Sequence, residues 1–261
     1  MGKTIVISNL KGGCGKSFTA ANLGIGLARQ GKRVLLLDAD SQHSLTVSLG
    51  ISEPDNLDVT LASVMSNIIS DVDYDLTAGI LSHSEGVDLL PANFTLVNTE
   101  LALVPTLGRE TVLRQYIEKV RPLYDWIIID TSPSMGLLTI NALAAADTVY
   151  IPVTPRYLDA KGLELLLKTI SRIRRQINPQ LAIGGILLTM VERRANFTRE
   201  IISLIENSYG NQIRVFNEHI PRSVRATEST AQGISIFSYD PTGKVAAAYA
   251  ALTREVLSDA A

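Results

Sequence analysis

The residues best suited to chemistry stand near the start of the chain, in the run Lys11-Gly12-Gly13-Cys14-Gly15-Lys16-Ser17. The run follows a short β-branched segment, Thr4–Ser8, and opens an amphipathic stretch over 17–30, so it occupies a strand-to-helix turn. Glycines at such a turn let the backbone curl until several N–H groups point at one anion. A helix beginning at Lys16 adds the positive end of its dipole. The Lys16 ammonium can reach the β- and γ-phosphates of a nucleotide, and the Ser17 hydroxyl is a ligand for Mg2+. A glycine-rich turn with a chance lysine is the alternative, but it requires strand, Gly-Gly-x-Gly-Lys-Ser and helix to coincide by accident.

The loop departs from the ordinary pattern at its start. A glycine normally stands five residues before the Gly-Lys pair; here that place is Leu10, and Lys11 follows. Lys-Gly-Gly-x-Gly-Lys-Ser resembles the deviant phosphate loop of the ParA/MinD superfamily. The resemblance implies that ATP and Mg2+ are the cofactors. It also implies that Lys11 reaches across a nucleotide-sandwich homodimer to the partner's phosphates, as an arginine finger does in trans. Nucleotide contacts would run from Lys11, Gly12, Gly13, Cys14, Gly15, Lys16 and Ser17 to the backbone of Phe18, with loops near Met190 and Pro221 at the adenine. Phe18 replaces a threonine common in the family, and Cys14 a small apolar residue; Cys14 is read as a packing residue.

Two further apolar runs end in acids. Val34–Leu37 leads into Asp38-Ala39-Asp40-Ser41-Gln42, similar to the family's Asp-x-Asp-Pro-Gln with Ser41 in place of proline. Trp126–Ile129 leads into Asp130, followed by Thr131-Ser132-Pro133-Ser134, with one of the family's usual two prolines. A carboxylate at a strand end can hold Mg2+ through water, and another can orient an attacking water. Asp38 and Asp130 are assigned to the metal shell with Ser17. Asp40 is assigned to the water, which makes Lys11, Lys16 and Asp40 the catalytic set.

Positioning these groups requires strands that end side by side. Short apolar runs at Thr4–Ser8, Val34–Leu37, Val87–Leu90, Trp126–Ile129, Val149–Val153 and Ile183–Leu188 read as parallel strands buried on both faces. Between them, helical patterns cover 17–30, 109–121, 159–176, 197–209 and 242–258. The expected fold is a single doubly wound, mostly parallel α/β sheet flanked by helices, with ligands at the carboxyl ends of the strands. One domain is expected over 1–261, with an irregular, acidic elaboration at about 52–86 that contains an apolar stripe around Leu61–Ile69.

Composition supports a globular chain. Of 261 residues, 46% are apolar and 19% charged, so disorder is not expected. A single cysteine excludes an intrachain disulfide framework, an all-cysteine zinc site and the paired cysteines of an iron–sulfur reductase. With no signal-peptide pattern and no apolar run near the length of a membrane span, the expected location is cytoplasmic. Net charge is −2, but residues 1–150 carry 10 Lys/Arg against 16 Asp/Glu, whereas 151–261 carry 14 against 10. That asymmetry can mark a surface for an anionic polymer or mere solvation of helices.

The cations have a pattern. In 159–176, Leu163, Leu166, Ile170 and Ile173 form one stripe and Lys168, Arg172 and Arg175 lie opposite. Arg193, Arg194 and Arg199 follow, and Arg222 and Arg225 come after Pro221. These groups can converge on a phosphate backbone, and the lack of interleaved aromatics argues against single-strand recognition. Resemblance to ParA-type partition ATPases extends through Gly136–Leu143, Ile183–Met190, Ile220–Arg225 and Tyr239-Asp240-Pro241. Arg194 and Arg225 match DNA-binding arginines of the chromosomal members. The implied function is slow ATP hydrolysis by a dimer that binds double-stranded DNA without sequence preference. A ParB-like centromere-binding protein would stimulate hydrolysis, and the protein would be nucleoid-associated. Two alternatives are a related ATPase that positions another cargo and a MinD-like membrane-cycling ATPase. The second is disfavoured by an alanine-rich C-terminal segment with Arg254 as its one nearby cation.

Overall fold

The computed structural model describes residues 2–192 and 196–259. Its strands are β1 (Lys3–Ile7), β2 (Val34–Ala39), β3 (Leu81–Ser82), β4 (Asp88–Leu90), β5 (Trp126–Thr131), β6 (Thr148–Val153) and β7 (Ala182–Leu188). Its helices are α1 (Lys16–Ala28), α2 (Ser44–Ser48), α3 (Leu61–Ile69), α4 (Leu96–Leu103), α5 (Val112–Val120), α6 (Leu137–Ala145), α7 (Tyr157–Gln176), α8 (Asn196–Tyr209), α9 (Val224–Ala231), α10 (Ile236–Tyr239) and α11 (Lys244–Ser258). The described strands form one sheet in the order β3-β4-β2-β5-β1-β6-β7. All neighbours pair in parallel except β3, which runs antiparallel to β4 at the edge.

The continuous apolar runs are explained by two cores, one on each face of the sheet. Side chains alternate across a strand. Val6, Leu35, Leu37, Ile127 and Ile129 therefore pack into one core with residues of α3 to α8. Ile5, Ile7, Val34, Leu36 and Ile128 pack into the other with α1, α2, α10 and α11. Close contact of α1 with the sheet needs a glycine: a Cβ at Gly24 would lie 2.5 Å from Leu36 Cδ2. The α11 helix lies along α1 and buries Val245, Ala248, Tyr249, Leu252 and Val256.

Expected and observed elements differ mainly at boundaries. The helix expected over 109–121 starts at Val112, because Gly108 to Thr111 close a turn through the Thr111 N–H and Gly108 carbonyl. Segment 52–86 is more ordered than its composition suggests. It holds a 3-10 turn at Pro54–Asn56, and α3 is closed by a Thr60/Ser63 capping box. Leu61, Ala62, Val64 and Met65 of α3 are buried. Strand β3 then pairs with β4 and extends the sheet. Helix α4 is not evident in the sequence because its apolar residues are not confined to one face: Leu96 and Leu103 are buried, while Leu101 is 66% exposed.

Ile128 is fully buried at the centre of the sheet. Ile128→Ala should cost about 2–5 kcal/mol through reduced burial and a residual cavity. Urea unfolding should show the destabilisation as a lower midpoint with an unchanged slope.

Candidate nucleotide site

Loop 8–15 leaves the carboxyl end of β1 and is held from several sides. Asn9 is buried; its side-chain amide donates to the Pro152 carbonyl of β6 at 2.6 Å, and its Oδ1 accepts the Lys11 N–H at 3.1 Å. The buried Thr189 hydroxyl, just past β7, donates to the Cys14 carbonyl at 2.8 Å. Gly13 and Gly15 adopt φ of +67° and +84°, a region that costs other residues strain. Gly15 is the N-cap of α1, and no side chain caps that end. The first-turn N–H groups are thus left to meet an anion. Lys16 is only 7% exposed, and its ammonium donates to the Lys11 carbonyl at 3.0 Å. Cys14 is buried and its Sγ donates to the same carbonyl at 3.3 Å. Burial raises the Cys14 thiol pKa, with Lys16 opposing, so the thiol packs the loop in its protonated form.

The acids meet where β2 and β5 end. Asp38 and Asp130 are register partners on adjacent strands, and Asp130 is also paired with Ile7 at the end of β1. Both are completely buried. Asp38 Oδ2 accepts the Thr46 N–H (2.8 Å) and hydroxyl (2.7 Å), and Oδ1 accepts the Asp40 N–H (3.1 Å). Burial nevertheless pushes the Asp38 carboxyl from its ordinary 3.8 up to about 6, against those hydrogen bonds. Asp130 is driven well above the ordinary carboxylate range, by burial first and by the charge of Asp38 second. Ser17 and Lys16 pull the other way by less. Ser17 stands close to Asp130 without a well-formed hydrogen bond, and neither Asp130 oxygen has a hydrogen-bond partner.

A buried, unpartnered carboxyl beside a second acid fits a cation that supplies the missing charge. The described residues hold no grouping of three or more His, Cys, Asp or Glu of the kind that cages a metal unaided. Mg2+ here would take oxygens from phosphate and water beside Asp130 and Ser17, the mode usual for that ion. Asp40 is also buried, and its Oδ1 accepts the Gln42 N–H at 3.0 Å. After Asp130, the Ser132 hydroxyl lies 2.8 Å from that of Ser134 and 3.4 Å from that of Thr139. Hydroxyl contacts thus restrain a segment that has only Pro133 to stiffen it. Glu100 of α4 accepts the Leu138 N–H at 3.3 Å, at the start of α6.

Beside the loop opens a cavity of about 580 Å3. Gly15, Phe18, Met190 and Pro221 all line it, so residues assigned to nucleotide contact from three separate segments come together. Arg222 lines it too. Met190 adopts φ +52°, unusual for a side-chain-bearing residue.

The cations assigned to DNA divide into two groups. On α7, Leu163, Leu166, Ile170 and Ile173 are buried while Lys168, Arg172 and Arg175 are on the opposite, solvent-facing side, as the periodicity requires. Lys168 pairs with Glu164 at 2.6 Å. Arg222 pairs with Glu192 (2.5 Å) and Arg225 with Glu228 (3.1 Å), both at exposed positions. Helix α7 packs on α6, α8 and β6, whereas α9 packs on α2 and α10. Arg193 and Arg194 lie outside the described residues. Asn9, Thr46, Glu100 and Thr189 support the site and carry no signal in the sequence. Polar residues have no periodic pattern, and the partners of Thr46 and Thr189 become visible only once the strands are aligned.

A glycine loop feeding a helix, over two acids in register on neighbouring parallel strands, defines a P-loop nucleoside-triphosphatase. The family AAA_31, an AAA domain, matches residues 2–183. The chain is 41% identical over 260 residues to the sporulation initiation inhibitor protein Soj of Bacillus subtilis (strain 168), covering 99% of this chain and 100% of that protein. It is 37% identical over 266 residues to the chromosome-partitioning ATPase Soj of Treponema pallidum (strain Nichols), covering 99% and 98%. Among solved structures it is similar to cobyrinic acid a,c-diamide synthase from Mycobacterium smegmatis with bound ADP and magnesium: the TM-score is 0.85 and the identity 33%, covering 98% of this chain and 94% of that one. The chain belongs to the AAA_31 family and, within it, to the Soj/ParA partition ATPases.

The buried acids set a pH dependence. A carboxyl with a raised folded-state pKa holds its proton more tightly when folded. Its contribution is complete below about 3.8 and disappears as pH rises through about 6. The Asp38 share of the nucleotide-free protein's stability should therefore be lost from about pH 4 to about pH 6, and Asp38→Asn should show less loss than wild type across that window in urea unfolding at stepped pH.

Proposed function

We propose that the chain is an ATP-dependent DNA partition protein whose nucleotide-bound homodimer holds double-stranded DNA non-specifically and is released by slow hydrolysis. The observation that carries the ATPase part is the orphaned Asp130 carboxyl, buried in register with Asp38 beneath the glycine loop. Asp130 and Ser17 would hold Mg2+, with Asp38 in its outer shell; when bound, the ion neutralises charge on the phosphates. Lys16 exchanges the Lys11 carbonyl for β- and γ-phosphate oxygens. Asp40 orients the attacking water. Lys11 acts on the nucleotide of the partner protomer, which ties hydrolysis to dimerisation.

The relatives' names support partition as the purpose. DNA binding is supported by the exposed cations of α7 and by Arg222 and Arg225. Their ion pairs with Glu164, Glu192 and Glu228 are exposed, and such pairs are weak enough to yield to phosphate. A ParB-like centromere-binding protein is the proposed activator, and the nucleoid the proposed location. A membrane cycle is less well supported. The apolar face of α11, the last described helix, is committed to the core.

Duplex DNA binding measured with Mg2+ and ATP, ADP or no nucleotide, across a salt series, tests this reading. ATP-dependent, salt-sensitive binding is expected. Absence of binding in every nucleotide state, with dimerisation intact, would overturn the DNA assignment. Lys16→Ala should abolish nucleotide action, and Asp40→Ala should trap ATP-bound dimers on DNA. Arg225→Ala should weaken binding and reduce the salt slope by about one unit for each phosphate no longer neutralised. Unchanged DNA affinity in both Arg194→Ala and Arg225→Ala would show that the wrong face has been chosen.

A further inference from the structure

The cavity beside the loop has an aromatic wall that phosphate binding leaves unexplained. Phe18 stands in the first turn of α1, two residues past Lys16, and is half-buried. Its ring meets Tyr249 of α11 edge-on, with centroids 5.5 Å apart and planes at 68°. Tyr249 is fixed in turn: it is 1% exposed, and its hydroxyl shares a 3.0 Å hydrogen bond with that of Thr19. Both rings line the cavity that begins at Gly15, together with Val47, Met190, Ile220 and Pro221.

The hydroxyls nearest the rings are committed: Thr189 donates to the Cys14 carbonyl and Thr230 to the Ala226 carbonyl, while Tyr249 and Thr19 bond each other. Arg222, Ser223 and Thr227 add polar groups elsewhere on the lining. Beside Phe18 and Tyr249 the cavity therefore presents rings and aliphatic carbon within one helical turn of the phosphate loop. A phosphate gains nothing from such a surface, and Phe18 has no side-chain donor to offer one. A flat, weakly hydrated group attached to the phosphates gains a good deal, because aromatic rings pack on it through their faces and edges.

We propose that the side chain of Phe18, braced by Tyr249, is a nucleoside-contacting residue: the base and sugar of the bound triphosphate pack on its ring. Position 18 then acts on the nucleoside through its side chain and on the phosphates only through its backbone. The inference rests on the nucleotide reading of the loop.

Isothermal titration of ATP and of inorganic tripolyphosphate, each with Mg2+, separates the two halves of the ligand. Phe18→Ala, which removes the ring and adds no donor, should weaken ATP by about tenfold, the size of a base–aromatic contact, and leave tripolyphosphate affinity unchanged. Unchanged tripolyphosphate binding also shows that the loop is intact. Phe18→Leu, which keeps the apolar bulk without the ring, should lose several-fold toward ATP alone. Equal losses for both ligands would mean that the ring shapes the loop, and unchanged ATP affinity would mean that it contacts nothing; either result overturns the inference. A wild-type protein that binds neither ligand would instead overturn the nucleotide reading.

Discussion

Two like-charged groups in the same dry place set the terms for the whole site. Asp38 and Asp130 face each other on adjacent strands, fully buried, where a charge is costly and a second charge costlier. Most of the surrounding structure answers that problem. Thr46 donates twice to Asp38, and the Asp40 N–H donates once, so that acid is positioned by hydrogen bonds. Asp130 receives none, and relief for it has to come from the loop side, where Lys16 and Ser17 stand. The loop's left-handed glycines, the uncapped start of α1 and the anchors from Asn9 and Thr189 keep that positive edge above the acids.

The same constraint explains why Lys16 is folded onto the Lys11 carbonyl. A buried ammonium needs acceptors, and the loop provides one at 3.0 Å. The contact also shapes the loop, since the Cys14 thiol shares that carbonyl. Exchanging this contact for phosphate oxygens would leave the Lys11 carbonyl to the Cys14 thiol alone, so the proposed ligand and the residue proposed to act on the partner protomer meet at one backbone oxygen.

How much of this is legible in advance depends on the kind of signal. Strands announce themselves because burial on both faces makes continuous apolar runs, and each expected run matches its strand to within a residue or two at either end. The loop, the acids at strand ends and the two faces of α7 are legible because each depends on spacing along the chain. Helix α4 is not, since its exposed Leu101 blurs its periodicity, and the two-residue β3 is too short to show a pattern, whereas the apolar stripe of Leu61–Ile69 coincides with α3 despite the acidic setting of 52–86. Asn9 and Thr189 are invisible because their partners lie 143 and 175 residues away, and Thr46 because its contact with Asp38 follows no periodic spacing. Asp38 and Asp130 can each be placed at a strand end from the sequence. Their mutual burial, which gives the pair its chemistry, appears only with the register.

Helix α9 joins the two ends of the proposed cycle. Ala226, Thr227, Thr230 and Ala231 face the nucleotide cavity, and Arg222 lies in its wall just before the helix. Arg225 sits in the first turn of the same helix, where the Ser223 hydroxyl accepts its backbone N–H and Glu228 accepts its side chain. The cavity wall and Arg225 thus belong to one helix, with no element between them. The α7 cations lack that proximity: α7 packs on α6, α8 and β6, away from α2 and α10, on which α9 packs. The two basic groups therefore stand in different structural relations to the cavity. Arg222 and Arg225 adjoin its wall. Helix α7 instead packs on α6, whose start is held by Glu100 and which follows on Asp130 and its serine-tied loop.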